Sequence, residues 1–169
     1  RRAIKILKGW NRYATKDSIA MTIFAYWMEK LSTIEDPVEA LEEAVDLMLG
    51  LYGTIEVPWG TVHGVLRGDT FFQLSGGPGG WGILNPREGP NIGGVWYCGS
   101  GSSFIMVVEL KKNNVKAYSV LPYGESNDPA SPHFDDQLAE LYSQDKLKPA
   151  WFYLWDIIRH AESFKILIS

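Results

Sequence analysis

Apolar residues in the first third of the chain recur at the spacing of an α-helix. Over Asp17–Leu31 they occupy nearly every side, which predicts a helix that is buried on more than one face and capped at its start by Asp17. In the following segment they form one stripe opposite a face rich in Glu and Asp. Asp36 is a favoured capping residue and Pro37 a favoured first helical residue, so a second helix is predicted to begin there.

Glycine sets the character of the next segment. Of the 17 glycines, 13 lie between Gly60 and Gly101, which argues against any helix there and predicts short strands joined by turns and irregular loop. Val57–Arg67 alternates in part, as a strand does. Ser75–Gly94 contains turn-forming residues throughout and is predicted to be a long ordered loop, a kind of segment that often carries function.

Strand patterns dominate the part that follows. Ser103–Leu110 and Val115–Leu121 predict a β-hairpin, and the first of these strands is apolar on both faces, which predicts that it lies inside a covered sheet. After a connection rich in Pro and Ser, a short helix is predicted from about His133. The aromatic segment Trp151–Trp155 leads into a last helix, and Phe164–Ile168 is predicted to be a terminal strand.

These elements predict an α+β fold with helices at both ends around a small antiparallel sheet and a Gly-rich loop. The chain of 169 residues has no internal repeat and no polar linker, so it is predicted to be one domain. Residues 1–52 are helical in this scheme, 57–121 hold the strands and the Gly-rich loop, and 122–169 hold the connection, the last helices and the terminal strand. The chain begins at Arg1 instead of Met, which suggests a piece of a longer protein.

The amino-acid composition argues against several classes of binding partner and site. Hydrophobic residues make up 46% and charged residues 21%, as in an ordinary globular protein, and the net charge is -4. The 16 Lys and Arg residues are scattered, which argues against a nucleic-acid partner. No apolar run approaches the roughly 20 residues that a membrane helix needs. Cys98 is the only cysteine, so an internal disulfide and every multi-cysteine metal site are excluded.

Neither a cofactor nor a metal is predicted. The run Gly76–Gly80 lacks the Gly-Lys-Ser/Thr ending of a phosphate-binding loop and is interpreted as a structural loop. The three histidines are not spaced as a helical metal pair. Asp128, His133, Asp135 and Asp136 could form an oxygen-rich cation site. The favoured interpretation is that Asp135 and Asp136 stabilise the first turn of the predicted helix.

Two further candidates remain open at this point. Ser102 and His133 could serve a serine hydrolase, although Gly99–Ser102 does not match the nucleophile elbow of such enzymes. The aromatic segment Trp151–Trp155 could bind a ligand, but a place in the core or in a subunit interface is the favoured interpretation. The residues alone therefore indicate a scaffold and no convincing active site.

The segment from Pro122 to Ala161 resembles the C-terminal signature of the penicillin amidase family. These acylases cleave side-chain amides of penicillins, cephalosporins, acyl-homoserine lactones and lipopeptides. Shorter matches lie upstream, in a Trp-Gly-x-x-His segment followed by Arg-Gly. The residues that carry the resemblance are Trp59, Gly60, His63, Arg67, Gly124, Ser126, Ser131, Pro132, His133, Asp136 and Gln137.

The resemblance implies a four-layer αββα fold in a parent enzyme, of which this chain would be the C-terminal part of the large subunit. Family members use an N-terminal Ser whose own α-amine is the general base, and an acyl-enzyme forms on it. Arg1 cannot take that role, so no catalytic residue is assigned to this chain, which is expected to be structural and inactive alone. The implied partners are the rest of the parent acylase, including its small subunit, and an acyl-amide substrate of the parent. Self-association of the fragment is a further expectation, and an exported location is implied by the relatives.

The resemblance also suggests local roles for residues of the C-terminal signature, Pro122–Ala161. Ser131 would cap the short helix and Pro132 would be its first residue. His133 would donate to a nearby carbonyl or carboxylate and act structurally. A different class of function, a binding or interaction module built on the aromatic segment and the Gly-rich loop, is kept as the alternative.

Overall fold

The computed structural model describes residues 1–112, 114–161, 163 and 165. The chain forms two compact units, Arg1–Ser102 and Ser103–Ser169, and its mixture of helices and small sheets agrees with the α+β prediction. The strand predicted over Phe164–Ile168 lies outside the described residues, Lys165 excepted. No helix in the described ranges is long and apolar enough to cross a bilayer.

Helices form the first part of the first unit. They are α1 (Arg2–Lys8), α2 (Ile19–Leu31) and α3 (Pro37–Tyr52). The cap of α2 is Ser18 and not the predicted Asp17, because the Ser18 hydroxyl accepts from the backbone N–H of Met21 at 3.1 Å. The cap at Asp36 is confirmed, since its carboxylate accepts from the first-turn N–H groups of α3.

A four-stranded sheet follows, in the order β2-β1-β5-β4. Its strands are β1 (His63–Arg67), β2 (Thr70–Gln73), β4 (Asn91–Ile92) and β5 (Val95–Tyr97), while β3 (Arg87–Glu88) pairs with β6 (Ser100–Gly101) in a second small sheet. Strand β1 is antiparallel to β2 and parallel to β5.

The strand predicted over Val57–Arg67 is right only in its second half. A short helix, α4 (Trp59–Val62), precedes β1, and the apolar side chains of this helix are buried. The predicted loop Ser75–Gly94 contains β3, β4 and a 3-10 turn at Gly79–Trp81.

The core of the first unit joins its helices to α4 and β5. Met21, Ile23, Tyr26, Trp59 and Trp96 are buried there. The burial of α2 on more than one side is confirmed. This packing places the start of β1, and with it His63, in the interior.

The second unit contains the predicted hairpin. Its strands are β7 (Ile105–Lys111), β8 (Asn114–Val120) and β9 (Lys148–Ala150), all antiparallel, and its helices are α5 (Asp136–Glu140) and α6 (Leu154–His160), with a 3-10 turn at Tyr142–Gln144. The short helix begins at Asp136 and not near His133. Among the described residues of this unit, the buried apolar side chains are Val120, Leu138 and Tyr142.

The prediction that the first hairpin strand is covered is wrong for this chain. Met106, Val107 and Val108 are about half exposed, and Leu110 is 79% exposed. Among the described residues, β7 is hydrogen-bonded to β8 only, so its other edge is open. A strand that is apolar on both faces is typical of a sheet whose two faces are covered by other elements, and the described residues do not provide such cover for β7.

Candidate functional site

The Trp-Gly-x-x-His motif of the first unit builds a buried polar cluster. His63 is fully buried, and its ring nitrogens face two main-chain carbonyls: Nδ1 lies 2.9 Å from the oxygen of Leu74 and Nε2 lies 3.0 Å from the oxygen of Arg87. The indole of Trp59 stacks on the imidazole, with ring centroids 4.4 Å apart and planes 15° from parallel. Helix α4 and strand β1 fix this stacking because they follow each other directly.

Three successive carbonyls at the start of the Gly-rich loop each receive a side chain. His63 faces the oxygen of Leu74, Nη1 of Arg87 donates to the oxygen of Ser75 at 2.9 Å, and Nε1 of Trp59 donates to the oxygen of Gly76 at 2.7 Å. All three side chains are buried. Because unpaired buried carbonyls are costly, this clamp holds the loop in one conformation. We call this set of contacts the carbonyl clamp.

The remaining first-unit motif residues are Gly60, in α4, and Arg67, at the far end of β1 from His63. The backbone N–H of Gly60 donates to the Lys16 carbonyl at 2.6 Å. A β-carbon at this position would press on the side chains of Lys16 and Gln73, so only glycine permits this close approach. Arg67 lies at the end of β1, opposite Thr70 of β2.

Cys98 adjoins the carbonyl clamp but is not an activated nucleophile. Its Sγ lies 3.2 Å from Nε2 of His63. Burial raises the pKa of the Cys98 thiol to about 12, so the sulfur is protonated at neutral pH. The protonated thiol is therefore a hydrogen-bond partner of the His63 ring in this unit.

The stability of the first unit is predicted to decrease as the pH falls below about 6.5, the ordinary value for histidine. Burial lowers the pKa of His63, and the nearby Arg87 acts in the same direction, although the two carbonyls oppose it. The unfolded chain then takes up the proton first, so the stabilisation is complete above the ordinary pKa and is lost as the pH drops toward the lowered one. Urea unfolding of wild type and His63→Asn between pH 7.5 and 5 measures this, and the variant is expected to show the smaller slope.

The matched control for this titration is His160→Gln, which changes an exposed histidine of the second unit. Because His160 lies outside the first unit, the pH slope for unfolding of the first unit is expected to equal that of the wild type. A wild-type unfolding free energy that rises on acidification, or an unchanged slope in His63→Asn, would contradict the prediction.

In the second unit, Gly124 and Ser126 lie against the backbone of His133. The N–H of Ser126 donates to the His133 carbonyl at 3.0 Å, and the Ser126 hydroxyl accepts from the N–H of Asp128 at 3.1 Å. A β-carbon at Gly124 would overlap that same carbonyl oxygen. The Gly-x-Ser spacing therefore lets two stretches of main chain meet at van der Waals distance.

His133 and Asp136 form a pair at the surface. Nδ1 of His133 lies 2.9 Å from Oδ2 of Asp136, and this hydrogen bond holds the pKa of the carboxyl below its ordinary value. Ser131 does not cap α5, because the helix begins five residues later, at Asp136; its hydroxyl accepts from the His133 N–H at 3.2 Å. Pro132 is consequently part of a turn and not the first helical residue.

Gln137 joins the hairpin to the second motif. It is buried, its Oε1 accepts from the N–H of Leu121 at 3.1 Å, and its Nε2 lies 3.3 Å from Oε1 of Glu125. The N–H of Leu138 donates to the Tyr123 carbonyl at 2.7 Å. These contacts attach α5 to the end of β8.

The alternative metal site does not form. In the described part of the chain, no three or more His, Cys, Asp and Glu side chains come together in a way that could hold a metal ion. That finding covers the candidate set of Asp128, His133, Asp135 and Asp136. Ser102 belongs to the first unit and His133 to the second.

The aromatic segment lies at the surface, so its assignment to a core is wrong. Trp151, Phe152 and Trp155 are exposed, Trp155 by 74%. With parts of β8 and β9 the segment lines a cavity of about 230 Å³. Trp151 stacks on His160, with ring centroids 3.9 Å apart. A subunit interface remains a prediction for this segment.

One protein-family model matches the motif residues of both units. The model of the penicillin amidase family matches residues 1–158, almost the whole chain. The chain belongs to the penicillin amidase family. The match includes the carbonyl clamp of the first unit and the Gly-x-Ser and His133–Asp136 contacts of the second.

Curated relatives of this family member are acylases. Aculeacin-A acylase of Actinoplanes utahensis is 33% identical over 106 residues, which are 62% of this chain and 12% of the relative. Acyl-homoserine lactone acylase PvdQ of Pseudomonas fluorescens is 34% identical over 85 residues in strain Pf-5, covering 50% of this chain and 11% of the relative. The enzyme of strain Pf0-1 is 31% identical over 100 residues, covering 59% and 13%. The aligned part thus spans only 11–13% of these relatives.

Arg87 is the residue of the carbonyl clamp that sequence analysis missed. Arg87 and Glu88 are the only charged residues between Asp69 and Glu109. A pair of adjacent charges in a long uncharged stretch is a signal that each has a specific partner, since burial of an unpaired charge is costly. That signal points to a structural contact without naming the carbonyl it binds.

Proposed function

We propose that this chain is the C-terminal segment of a penicillin-amidase-like hydrolase that cleaves acyl-amide bonds. The acyl-enzyme would form on an N-terminal Ser that this chain does not contain. In this proposal the chain is structural and has no acylase activity alone. The observation that carries the proposal is a family match over residues 1–158 in a chain that aligns with only 11–13% of its curated acylase relatives.

The geometry of the motif residues supports a structural role. Trp59 and His63 direct their polar atoms to main-chain carbonyls, and His63 is inaccessible to a substrate. In the second unit, Gly124 packs against the His133 carbonyl and the N–H of Ser126 donates to it. Groups that contact main chain in the interior cannot also contact a reacting amide.

The exposed apolar surfaces of the second unit support a partner within the parent enzyme. Strand β7 pairs only with β8 in the part of the chain that the structure describes, and its apolar residues are exposed on both faces. The aromatic segment Trp151–Trp155 is exposed as well. Isolated globular proteins blunt such edges with charges or cover them. We propose that the rest of the acylase covers β7 within a four-layer αββα fold.

Hydrolysis of a chromogenic acyl 4-nitroanilide tests the proposal. The 169-residue chain is expected to release no nitroaniline above background, whereas the longer protein that includes the upstream sequence is expected to turn over. Ser→Ala at the start of the upstream large-subunit segment should abolish turnover, because it removes the nucleophile. The matched control within this chain is Ser102→Ala, which should leave turnover of the longer protein unchanged. Turnover by the 169-residue chain would overturn the proposal.

An interaction module is the second candidate function, favoured by the exposure of Phe152 and Trp155. Under this alternative the chain acts without an upstream enzyme and associates through its aromatic segment. Sedimentation of the 169-residue chain separates the two candidates when it is repeated with the upstream segment added. Concentration-dependent self-association that the upstream segment does not suppress would favour the module.

A further inference from the structure

A concave groove lies beside α1 in the first unit. Its volume is about 440 Å³, within the range of pockets that hold small ligands. Five of its lining residues are apolar and two are cationic. They are Ile4, Leu7, Trp10, Trp27 and Leu41, with Lys8 and Arg12. We call it the α1 groove.

The two indoles of the α1 groove are held in place by hydrogen bonds and packing. Nε1 of Trp10 donates to the carbonyl of Tyr13 at 3.0 Å, and its ring lies 5.3 Å from that of Phe24. Nε1 of Trp27 donates to the carbonyl of Pro37 at 2.9 Å. An apolar ligand would therefore meet rigid aromatic walls, which lowers the entropy lost on binding.

The two cations of the α1 groove have no carboxylate partner among the described residues. Lys8 and Arg12 are exposed and form no ion pair there, whereas Arg2 of the same region pairs with Glu56 at 2.6 Å. The chain as a whole carries a net charge of -4, so this positive rim opposes the overall charge. Charge complementarity favours a ligand with an anionic end.

The backbone of Arg12 adds an independent observation. Its φ is +65°, in the left-handed region, next to a turn in which the Asn11 carboxamide oxygen accepts from the Tyr13 N–H at 3.0 Å. A non-glycine residue there costs free energy, of the order of 1 kcal/mol, that glycine would not. An arginine at a position suited to glycine indicates that its side chain has a use.

We propose that the α1 groove binds a single-chain amphiphile with one carboxylate, such as a medium-chain fatty acid. The chain of the ligand lies against Trp10 and Trp27, and the carboxylate meets Lys8 and Arg12 at the rim. The concave shape favours one small amphiphile over a membrane surface or an acidic peptide, which would need a broader face. This proposal does not depend on the proposed function.

Isothermal titration of the 169-residue chain with octanoate, below its micelle concentration, tests the proposal. Saturable binding is expected, and 1-octanol is expected to bind at least about fivefold more weakly because it lacks the charge. Equal binding of octanol, or no saturable binding of octanoate, would overturn the proposal. Binding to phosphatidylglycerol vesicles without binding to octanoate would also overturn it, in favour of a membrane contact.

Arg12→Gly is the decisive variant, because glycine suits the left-handed backbone and the fold should be kept or slightly stabilised. Octanoate affinity is expected to fall about five- to tenfold, while octanol affinity stays the same. Lys5→Gln, which removes a cation of α1 outside the groove, should bind octanoate like the wild type. If Arg12→Gly lowers the melting temperature, Arg12→Gln and Lys8→Gln take its place. Unchanged octanoate affinity in the folded variants would overturn the proposal.

Discussion

Trp59→Ala is expected to lower the free energy of unfolding of the first unit by about 3–5 kcal/mol, the usual cost of truncating a buried aromatic residue. The side chain is fully buried, packs on His63 and Trp96, and donates to the Gly76 carbonyl. Its loss opens a cavity and leaves that carbonyl without its indole donor. Urea unfolding monitored by circular dichroism measures the change.

A second variant separates the hydrogen bond of Trp59 from its packing, and a third serves as a surface control. Trp59→Phe keeps a ring but removes the donor, and we expect a loss of about 1–3 kcal/mol from the unpaired carbonyl. Leu84→Ala is the surface control, since Leu84 is fully exposed, and should be neutral within about 0.5 kcal/mol. A neutral Trp59→Ala would contradict the carbonyl clamp as a source of stability.

Gly124→Ala is expected to destabilise the second unit by about 3 kcal/mol, the upper end of the usual cost of an added methyl in a packed site. The new β-carbon would overlap the carbonyl oxygen of His133, which is main chain and cannot rotate away. The hydrogen bond from Ser126 to that carbonyl should break as the two stretches separate. Hydrogen exchange of the Ser126 amide reports this directly, and its protection is expected to be lost.

The matched control for Gly124 is Gly50→Ala in α3. Nothing lies within 4 Å of a β-carbon built at Gly50, and alanine is the better helix former, so this variant should be neutral or more stable by up to about 1 kcal/mol. Retained protection of the Ser126 amide in Gly124→Ala would mean that the loop can shift without cost. Steric overlap with the His133 carbonyl would then no longer explain the Gly-x-Ser spacing.

Local signals in the sequence predict the elements whose stability is local. The cap at Asp36 and the hairpin of β7 and β8 follow from residues close together in the chain, and both predictions are confirmed. The predicted cap of α2 is wrong by one residue because Asp17 and Ser18 are both good capping residues and sequence does not choose between neighbours. Boundaries depend on the turn that precedes a helix, which in this chain is set by tertiary contacts.

The carbonyl clamp can be predicted only in part. The Trp-Gly-x-x-His motif marks Trp59 and His63, but the carbonyls they face lie up to 24 residues away in sequence. Contacts at such a separation leave no periodic pattern. The predicted cover of β7 is wrong because its apolar pattern reflects neighbours that the described chain does not provide.

The carbonyl clamp has a consequence for how the motif should be used to recognise relatives. The polar atoms of Trp59 and His63 are directed to main-chain oxygens, so these two residues serve the shape of the loop. A protein that keeps this loop conformation needs the same carbonyl partners, whether or not it hydrolyses a substrate. The motif is therefore a marker of this loop conformation, and its presence carries no information on whether the protein hydrolyses an amide.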